Sequence, residues 1–187
     1  QLQHEPSLGP ANFYCLPKIH KKSGPLTGRP IASAINTPTY AASKWLHNVL
    51  QPLRQLFPQI CQRSSDVIID LTDRIHNPTD TVFCADIAKL YPSIPIKWAS
   101  KQLSDLLSWA SINHPDTSPS PDNHSLIIDI LNWVMTENYV TFNNNTYLQL
   151  EGIAMGTPAA VCIADLCLAW VEQDFVPTFI ANGGYYK

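Results

Sequence analysis

The chain has 187 residues, 45% of them hydrophobic, so it can bury a core as one domain or as two closely joined subdomains. Its longest apolar run, near residues 161–170, is too short to span a bilayer and contains Asp165. Five cysteines without a CxxC spacing, and six histidines that pair with no cysteine at zinc-like intervals, argue against a disulfide framework or a zinc site. Because Cys84 and Cys162 lie in apolar runs, we expect reduced, mostly buried thiols in an intracellular protein.

The distribution of charge is more informative than the net charge of -3. Residues 1–60 carry six basic side chains and one acidic side chain, a net +5, so the remainder carries -8. This asymmetry indicates that the first third meets a polyanion and that the acidic remainder could hold metal ions. A solvated basic face explains the charge alone equally well. The basic residues are Lys18, Lys21, Lys22, Arg29, Lys44 and Arg54.

The first half of the chain predicts a β-hairpin followed by two helices. Residues 13–33 hold two β-prone runs, FYCLPKIH and GRPIAS, around a basic tip with Gly and Pro. Apolar residues then recur at helical spacing over 39–57, where Pro52 marks a kink or a junction. A second helix is expected after Ser64, with Val67, Ile68, Leu71 and Ile75 on its apolar face.

Two further helices are predicted between residues 96 and 138. Residues 96–112 are amphipathic with a helical period, and residues 125–138 predict the second helix. The intervening residues 114–124 are a loop by composition, which we expect to be mobile.

The last part of the chain predicts a hairpin, a glycine loop and a buried helix. Residues 139–150 alternate around an Asn-rich turn, as a β-hairpin does. Gly152 and Gly156 permit a loop that approaches a ligand closely, although a glycine-rich connection without a ligand is equally consistent with the pattern. Thr157 and Pro158 then begin a helix over roughly 158–175, which is apolar nearly all round and must be buried.

The stretch TVFCADIAKLYPSIP, residues 81–95, places a single carboxylate, Asp86, where an apolar strand pattern ends. Residues 81–85 predict a short buried strand. A carboxylate at the end of such a strand is held rigidly at a rim, where a hard cation such as Mg²⁺ can use its oxygens. The alternative for this residue taken alone is an Asp that caps a turn or is solvated.

Three stretches, taken together in this order, resemble the polymerase core of reverse transcriptases, and most closely that of Penelope-like retroelements. LPKIHKK followed by GRPIASAINTPTY is similar to that family's fingers motifs. FCADIAKLYPSIP resembles its first palm motif, and YLQLEGIAMGTPAA resembles its second. The resemblance covers about residues 12–175, and three motifs in the right order are far more specific than any one of them.

The resemblance implies an α+β right-hand fold with a fingers subdomain, residues 1–80, and a partial palm subdomain, residues 81–187. The palm would be an antiparallel sheet backed by helices. The implied activity is RNA-directed DNA polymerisation by two-metal nucleotidyl transfer, with Mg²⁺ or Mn²⁺ as cofactor. The implied partners are an RNA template, a DNA primer and dNTP, with other protein chains covering the open palm edge and no membrane. We expect an intracellular setting, the nucleus ahead of an organelle.

The resemblance also implies a metal and phosphate site. Asp86 would be the catalytic carboxylate and first metal ligand, and the carbonyl of Ile87 the second. Arg29 would clamp the incoming triphosphate because its planar fork suits phosphate, with Lys18 or Lys22 beside it on the hairpin. The alternative for each lysine is a solvated position at the tip of the hairpin, without a phosphate contact.

Sugar and base contacts are assigned by the same resemblance. Tyr91 would lie under the sugar and exclude a 2′-hydroxyl by contact; its alternative is a core tyrosine. Gln149, Gly152 and Gly156 would line the loop against nucleotide and template, because a backbone kept bare by glycine lets bases and sugar approach.

The family's third palm motif, an aromatic residue, a variable residue and two aspartates, is absent from the sequence. Asp165 and Asp174 are not expected to replace it, since both lie in a buried helical pattern. In the family this motif would begin just after Lys187, so we expect a piece of a longer protein that does not polymerise as given. The alternative is a non-catalytic, reverse-transcriptase-derived domain that serves as a structural or RNA-binding module in a larger assembly.

Overall fold

The chain has an α+β fold in which a four-stranded mixed sheet is backed by helices. The computed structural model describes residues 8–19, 27–61, 63–72, 74 and 79–187. Its strands are β1 (Ala11–Pro17), β2 (Gly28–Ser33), β3 (Tyr139–Phe142) and β4 (Asn145–Leu148). Its helices are α1 (Tyr40–Leu50), α2 (Ser64–Thr72), α3 (Leu90–Ser93), α4 (Ile96–Asn113), α5 (His124–Thr136), α6 (Ala160–Glu172) and α7 (Val176–Ala181), with 3₁₀ turns at Gln51–Leu56 and Pro121–Asn123.

The sheet joins the two predicted hairpins in the strand order β2-β1-β3-β4. β1 and β2 pair antiparallel, with Leu16 opposite Arg29, as the hairpin prediction required. β1 and β3 run parallel, with Ala11 opposite Val140. The expectation of an antiparallel sheet is therefore wrong. Parallel neighbours require a long crossover, and the helices between β2 and β3 provide one here.

The second hairpin turns tightly through two asparagines. Asn143 and Asn144 have φ of 49° and 62°, and Phe142 pairs with Asn145 across the turn. Positive φ at both central residues identifies a type I′ turn, whose twist matches that of the flanking strands. Asparagine tolerates this conformation, which explains why the predicted hairpin forms here.

The main hydrophobic core lies among α1, α4, α5 and α6. Leu103 and Leu107 of α4, Leu131 of α5, and Ile163 and Leu166 of α6 are fully buried within it. Burying each such side chain contributes about 1.5–3 kcal/mol. The helices predicted over 96–112 and 158–175 are thus confirmed, although the second is shorter than predicted.

The predicted strand over 81–85 does not form. Residues 80–87 have no regular secondary structure, and the side chains of Val82 and Phe83 are 91% and 88% exposed. A strand is stabilised only when a neighbour satisfies its backbone, and in the described part of the chain the four strands pair only with one another. Cys84 is exposed with its neighbours, as is Cys15, so the expectation of mostly buried thiols is wrong for these two.

The helix predicted after Ser64 forms as α2, but its apolar face does not enter the core. Val67 and Leu71 are half-buried and Ile68 is exposed, while Ile75 lies outside the described residues. Helical periodicity identifies an amphipathic helix without identifying what covers it.

Candidate functional site

The loop between β4 and α6 is anchored to the Tyr91–Pro92 turn. The backbone N–H of Ile153 donates to the carbonyl of Tyr91 at 2.9 Å. Gly152 beside it has φ of 77°, and a Cβ there would lie 2.6 Å from the Cα and 2.7 Å from the carbonyl oxygen of Pro92. No side chain fits at position 152, so a bare backbone is a steric requirement of this contact.

The other end of the same loop is anchored to β2. The N–H of Ala32 donates to the carbonyl of Met155 at 2.8 Å. Gly156 follows with φ of 116°, and a Cβ there would collide with the carbonyl of Ala32. Both glycines that the sequence singled out are therefore needed for close backbone contact, one with each of two distant segments.

The glycine loop thus brings together the three sequence motifs. Ala154, at its centre, is buried with Ala11 of β1 and Ala32 of β2 in a small apolar cluster against which Val140 packs. Small side chains allow the strands and the loop to lie close together. The glycine loop therefore contacts both the β1–β2 hairpin and the Tyr91 turn.

Two of the predicted phosphate-binding cations, Lys18 and Arg29, lie on or directly beside the strands of the β1–β2 hairpin. Arg29 is exposed on β2. Lys18 is half-buried, and its backbone N–H donates to the carbonyl of Thr27 at 2.8 Å, extending the pairing beyond the last strand residues. Lys22 lies outside the described residues. Arg29 is the cation here whose position on a regular strand is established.

Gln149 is held by its own loop. Its backbone N–H donates to the carbonyl of Asn138 at 3.0 Å, and its side-chain amide donates to the carbonyl of Glu151 at 2.8 Å. The second bond fixes the side chain and leaves the amide oxygen free to accept a hydrogen bond. Gln149 is therefore a preset acceptor beside the glycine loop.

Asp86 is not held at a sheet rim. It lies in the exposed segment before α3, and Ile87 beside it is 51% exposed. Within the described ranges, no three His, Cys, Asp or Glu side chains come together as a metal-binding group. One exposed carboxylate does not make a tight Mg²⁺ site, so the residues described do not fit the two-metal centre that the resemblance implies.

Tyr91 is half-buried and packs against the main core. Burial raises the pKa of its phenol, as does the nearby carboxylate of Asp165, while Arg54 opposes the change. Two residues earlier, Lys89 adopts a left-handed backbone with φ of 54°. Such a conformation costs a non-glycine residue about 1–2 kcal/mol and is often kept where a turn has a function.

Behind Tyr91 lies an ion pair that the sequence did not reveal. Arg54 of the 3₁₀ turn lies 2.6 Å from Asp165 of α6, with side chains 14% and 28% exposed. A single Asp on a helix that is otherwise apolar is a signal that could have predicted a buried partner. Asp174, expected in the same helical pattern, is instead exposed in the turn after α6.

No protein-family model matches this sequence, and a search of curated proteins yields no match. Among the helices that the structure describes, none combines the length and apolar content needed to cross a membrane.

Proposed function

We propose that the chain is the fingers and partial palm region of an RNA-directed DNA polymerase, contributing template and nucleotide contacts rather than a complete metal centre. The glycine loop carries this proposal, because it bonds to Tyr91 on one side and to Ala32, three residues from Arg29, on the other. Three motifs that resemble one family in sequence order are thereby held in contact with one another.

The side chains of the glycine loop and of the two segments that it contacts suit a nucleotide. Arg29 offers a planar cationic fork for phosphate, and Gln149 offers an acceptor for a base or sugar group. Tyr91 supplies an aromatic wall backed by the core. The glycines keep the backbone between them bare, which lets a sugar and base approach within van der Waals distance.

A complete two-metal centre is not assigned to the described residues. In the proposed complete polymerase, two divalent cations would activate the primer 3′-hydroxyl and neutralise the leaving pyrophosphate. Asp86 is the residue of this chain proposed to ligate one of them, with the carbonyl of Ile87. What these residues can do by themselves is bind and orient a strand and a nucleotide.

A second candidate function is a non-catalytic, structural or RNA-binding module within a larger assembly. The exposed segment that contains Val82 and Phe83 favours it, because such apolar exposure is typical of a surface that another chain covers. Fold alone does not distinguish a polymerase from a descendant that has lost activity.

The salt dependence of nucleic-acid binding tests the strand contact that the polymerase and the RNA-binding form of the second candidate both require. Binding of a labelled single-stranded RNA, measured by fluorescence anisotropy, is expected to weaken with a log-log slope of about -0.7 per phosphate contacted. Changing Lys18, Lys22 and Arg29 together to Ala is expected to make the slope less negative by about 2, because three phosphate contacts are lost.

A matched control removes the same charge elsewhere. Lys44, Lys97 and Lys101 are exposed on α1 and α4, and their joint change to Ala is expected to leave the slope nearly unchanged. Equal slopes for the two triple variants would mean that the hairpin is not the strand-binding surface. Polymerase activity is then measured on a chain that includes the two aspartates of the third motif, with Asp86→Asn as the inactive comparison. Full activity of Asp86→Asn would reject the enzymatic candidate.

A further inference from the structure

A cleft lies away from the glycine loop, between α2, the residues after the first 3₁₀ turn and the last residues of the chain. Its volume is about 240 Å³. This is below the roughly 300–1,000 Å³ of pockets for drug-sized ligands, so the cleft suits a small ligand or one end of a larger one. Its polar wall consists of Asp70, Arg74, Tyr185 and Lys187.

The charges of this wall are only partly matched. Lys187 Nζ lies 3.0 Å from Asp70, so these two groups neutralise each other. The guanidinium of Arg74 lies over the ring of Tyr185, 4.3 Å from its centroid. Stacking on a ring leaves the in-plane N–H groups of a guanidinium free to donate. Among the side chains that line the cleft, Arg74 is therefore the cation that Asp70 does not pair with.

Tyr185 adds an unusual group to this wall. Its hydroxyl is shielded from water and has no hydrogen-bond partner in the part of the chain that the structure describes. A buried polar group without a partner destabilises the fold. Burial, followed by the carboxylate of Asp70, raises the pKa of this phenol, so it stays protonated and able to donate.

The other polar groups of the cleft are already engaged. Tyr186 donates its hydroxyl to Glu172 at 2.8 Å, and Gln59 donates its amide to the carbonyl of Ala169 at 3.4 Å. Two further groups of the wall, the Arg74 guanidinium and the Tyr185 hydroxyl, can both donate. A ligand that accepts at several atoms and carries negative charge matches this set, and a phosphate group has both properties.

We propose that this cleft binds a phosphate group, free or as a monoester, through the guanidinium of Arg74 and the hydroxyl of Tyr185, with Lys187 held nearby by Asp70. This site is separate from the glycine loop and does not depend on the function proposed above.

Titration of the 187-residue chain with inorganic phosphate, followed by calorimetry at constant ionic strength, tests the site. Saturable binding is expected, and Arg74→Gln is expected to weaken it at least about tenfold, because a charge-assisted hydrogen bond contributes that much. Lys101→Gln, which removes one positive charge from the exposed face of α4, is expected to change affinity less than twofold. Equal weakening by both variants, or no saturable binding, would overturn the proposal.

Tyr185→Phe separates a ligand-binding role from a merely structural one, because it removes only the hydroxyl. In phosphate-free buffer this variant is expected to melt at a higher temperature, since an unpartnered buried group is lost. Its affinity for phosphate is expected to fall about threefold to tenfold. A higher melting temperature with unchanged phosphate affinity would overturn the role of Tyr185.

Replacing inorganic phosphate by a nucleoside monophosphate distinguishes the two sources of the phosphate group. Tighter binding of the monophosphate would assign the cleft to an ester whose remainder contacts the apolar wall of Pro58 and Ile180. Equal or weaker binding would assign it to free phosphate. Failure of both ligands would reject the site and leave the nucleic-acid surface around Arg29 unaffected.

Discussion

Arg54 and Asp165 form an ion pair of 2.6 Å that joins the 3₁₀ turn after α1 to the middle of α6. Arg54 is one of the six basic residues of positions 1–60 that the charge pattern assigns to a polyanion, but packing against α6 withdraws it from the surface. Burial raises the pKa of Asp165 even though Arg54 opposes the change. The two effects compete, and their balance can be measured.

The first prediction concerns the pH dependence of stability. Because the folded-state pKa of Asp165 is raised, the folded chain binds a proton more tightly than the unfolded chain there. The contribution is complete below the unfolded pKa of 3.8 and is lost as pH rises through the folded pKa. The wild-type chain is therefore expected to lose unfolding free energy relative to Asp165→Asn as the pH rises from acid to neutral. Urea denaturation of both proteins across this pH range measures the difference, wild type minus variant. A difference that increases with pH would mean that attraction to Arg54 outweighs burial.

The second prediction concerns the glycine loop. Gly152→Ala is expected to destabilise the fold by more than about 2 kcal/mol, because it adds a collision with the Pro92 backbone to the cost of a positive φ. Gly183→Ala is the matched control, since its φ is 87° but a Cβ there meets nothing within 4 Å. Only conformational strain, about 1–2 kcal/mol, is expected for the control. Equal destabilisation of the two variants in denaturant titrations would rule out the close contact with Pro92.

The third prediction concerns thiol reactivity. Burial raises the pKa of Cys162 and Cys167 to about 12, whereas Cys15 and Cys84 are exposed. At pH 8 a thiol with a pKa of about 12 is roughly one part in ten thousand thiolate, and the thiolate is the form that attacks a disulfide reagent. A disulfide reagent in excess is therefore expected to modify Cys15 and Cys84 quickly and the buried pair only in denaturant. Mass spectrometry identifies the modified residues. Early modification of Cys167 in the native protein would contradict the packing of α6.

The fourth prediction concerns sugar choice and assumes the proposed polymerase function. In a chain that includes the third-motif aspartates, Tyr91→Val is expected to raise ribonucleotide incorporation relative to deoxynucleotide incorporation. A loss of about 2 kcal/mol of discrimination would change the ratio of specificity constants by roughly thirtyfold. Tyr91→Phe keeps the ring and is expected to leave the ratio nearly unchanged. An unchanged ratio in Tyr91→Val would identify Tyr91 as a packing residue only.

Local pattern was sufficient to predict most elements. The alternation in β3 and β4 around Asn143 and Asn144 depends on neighbouring residues alone, as does the helical period of α4. The sequence also predicts that Gly152 and Gly156 allow a close contact of the loop backbone. It does not predict that the contacted segments are Pro92 and Ala32. These features depend on backbone conformation and side-chain spacing over a few residues, which the sequence contains directly.

The sequence by itself determined where helices and hairpins form and which helix is buried, because periodicity and turn chemistry are local. Only the tertiary structure decided that β1 pairs parallel with β3, that Arg54 forms an ion pair with Asp165, and that residues 81–85 remain exposed. Each of these outcomes depends on a partner distant in sequence. Whether a strand or a charge finds such a partner is a property of packing, which no local window of the sequence contains.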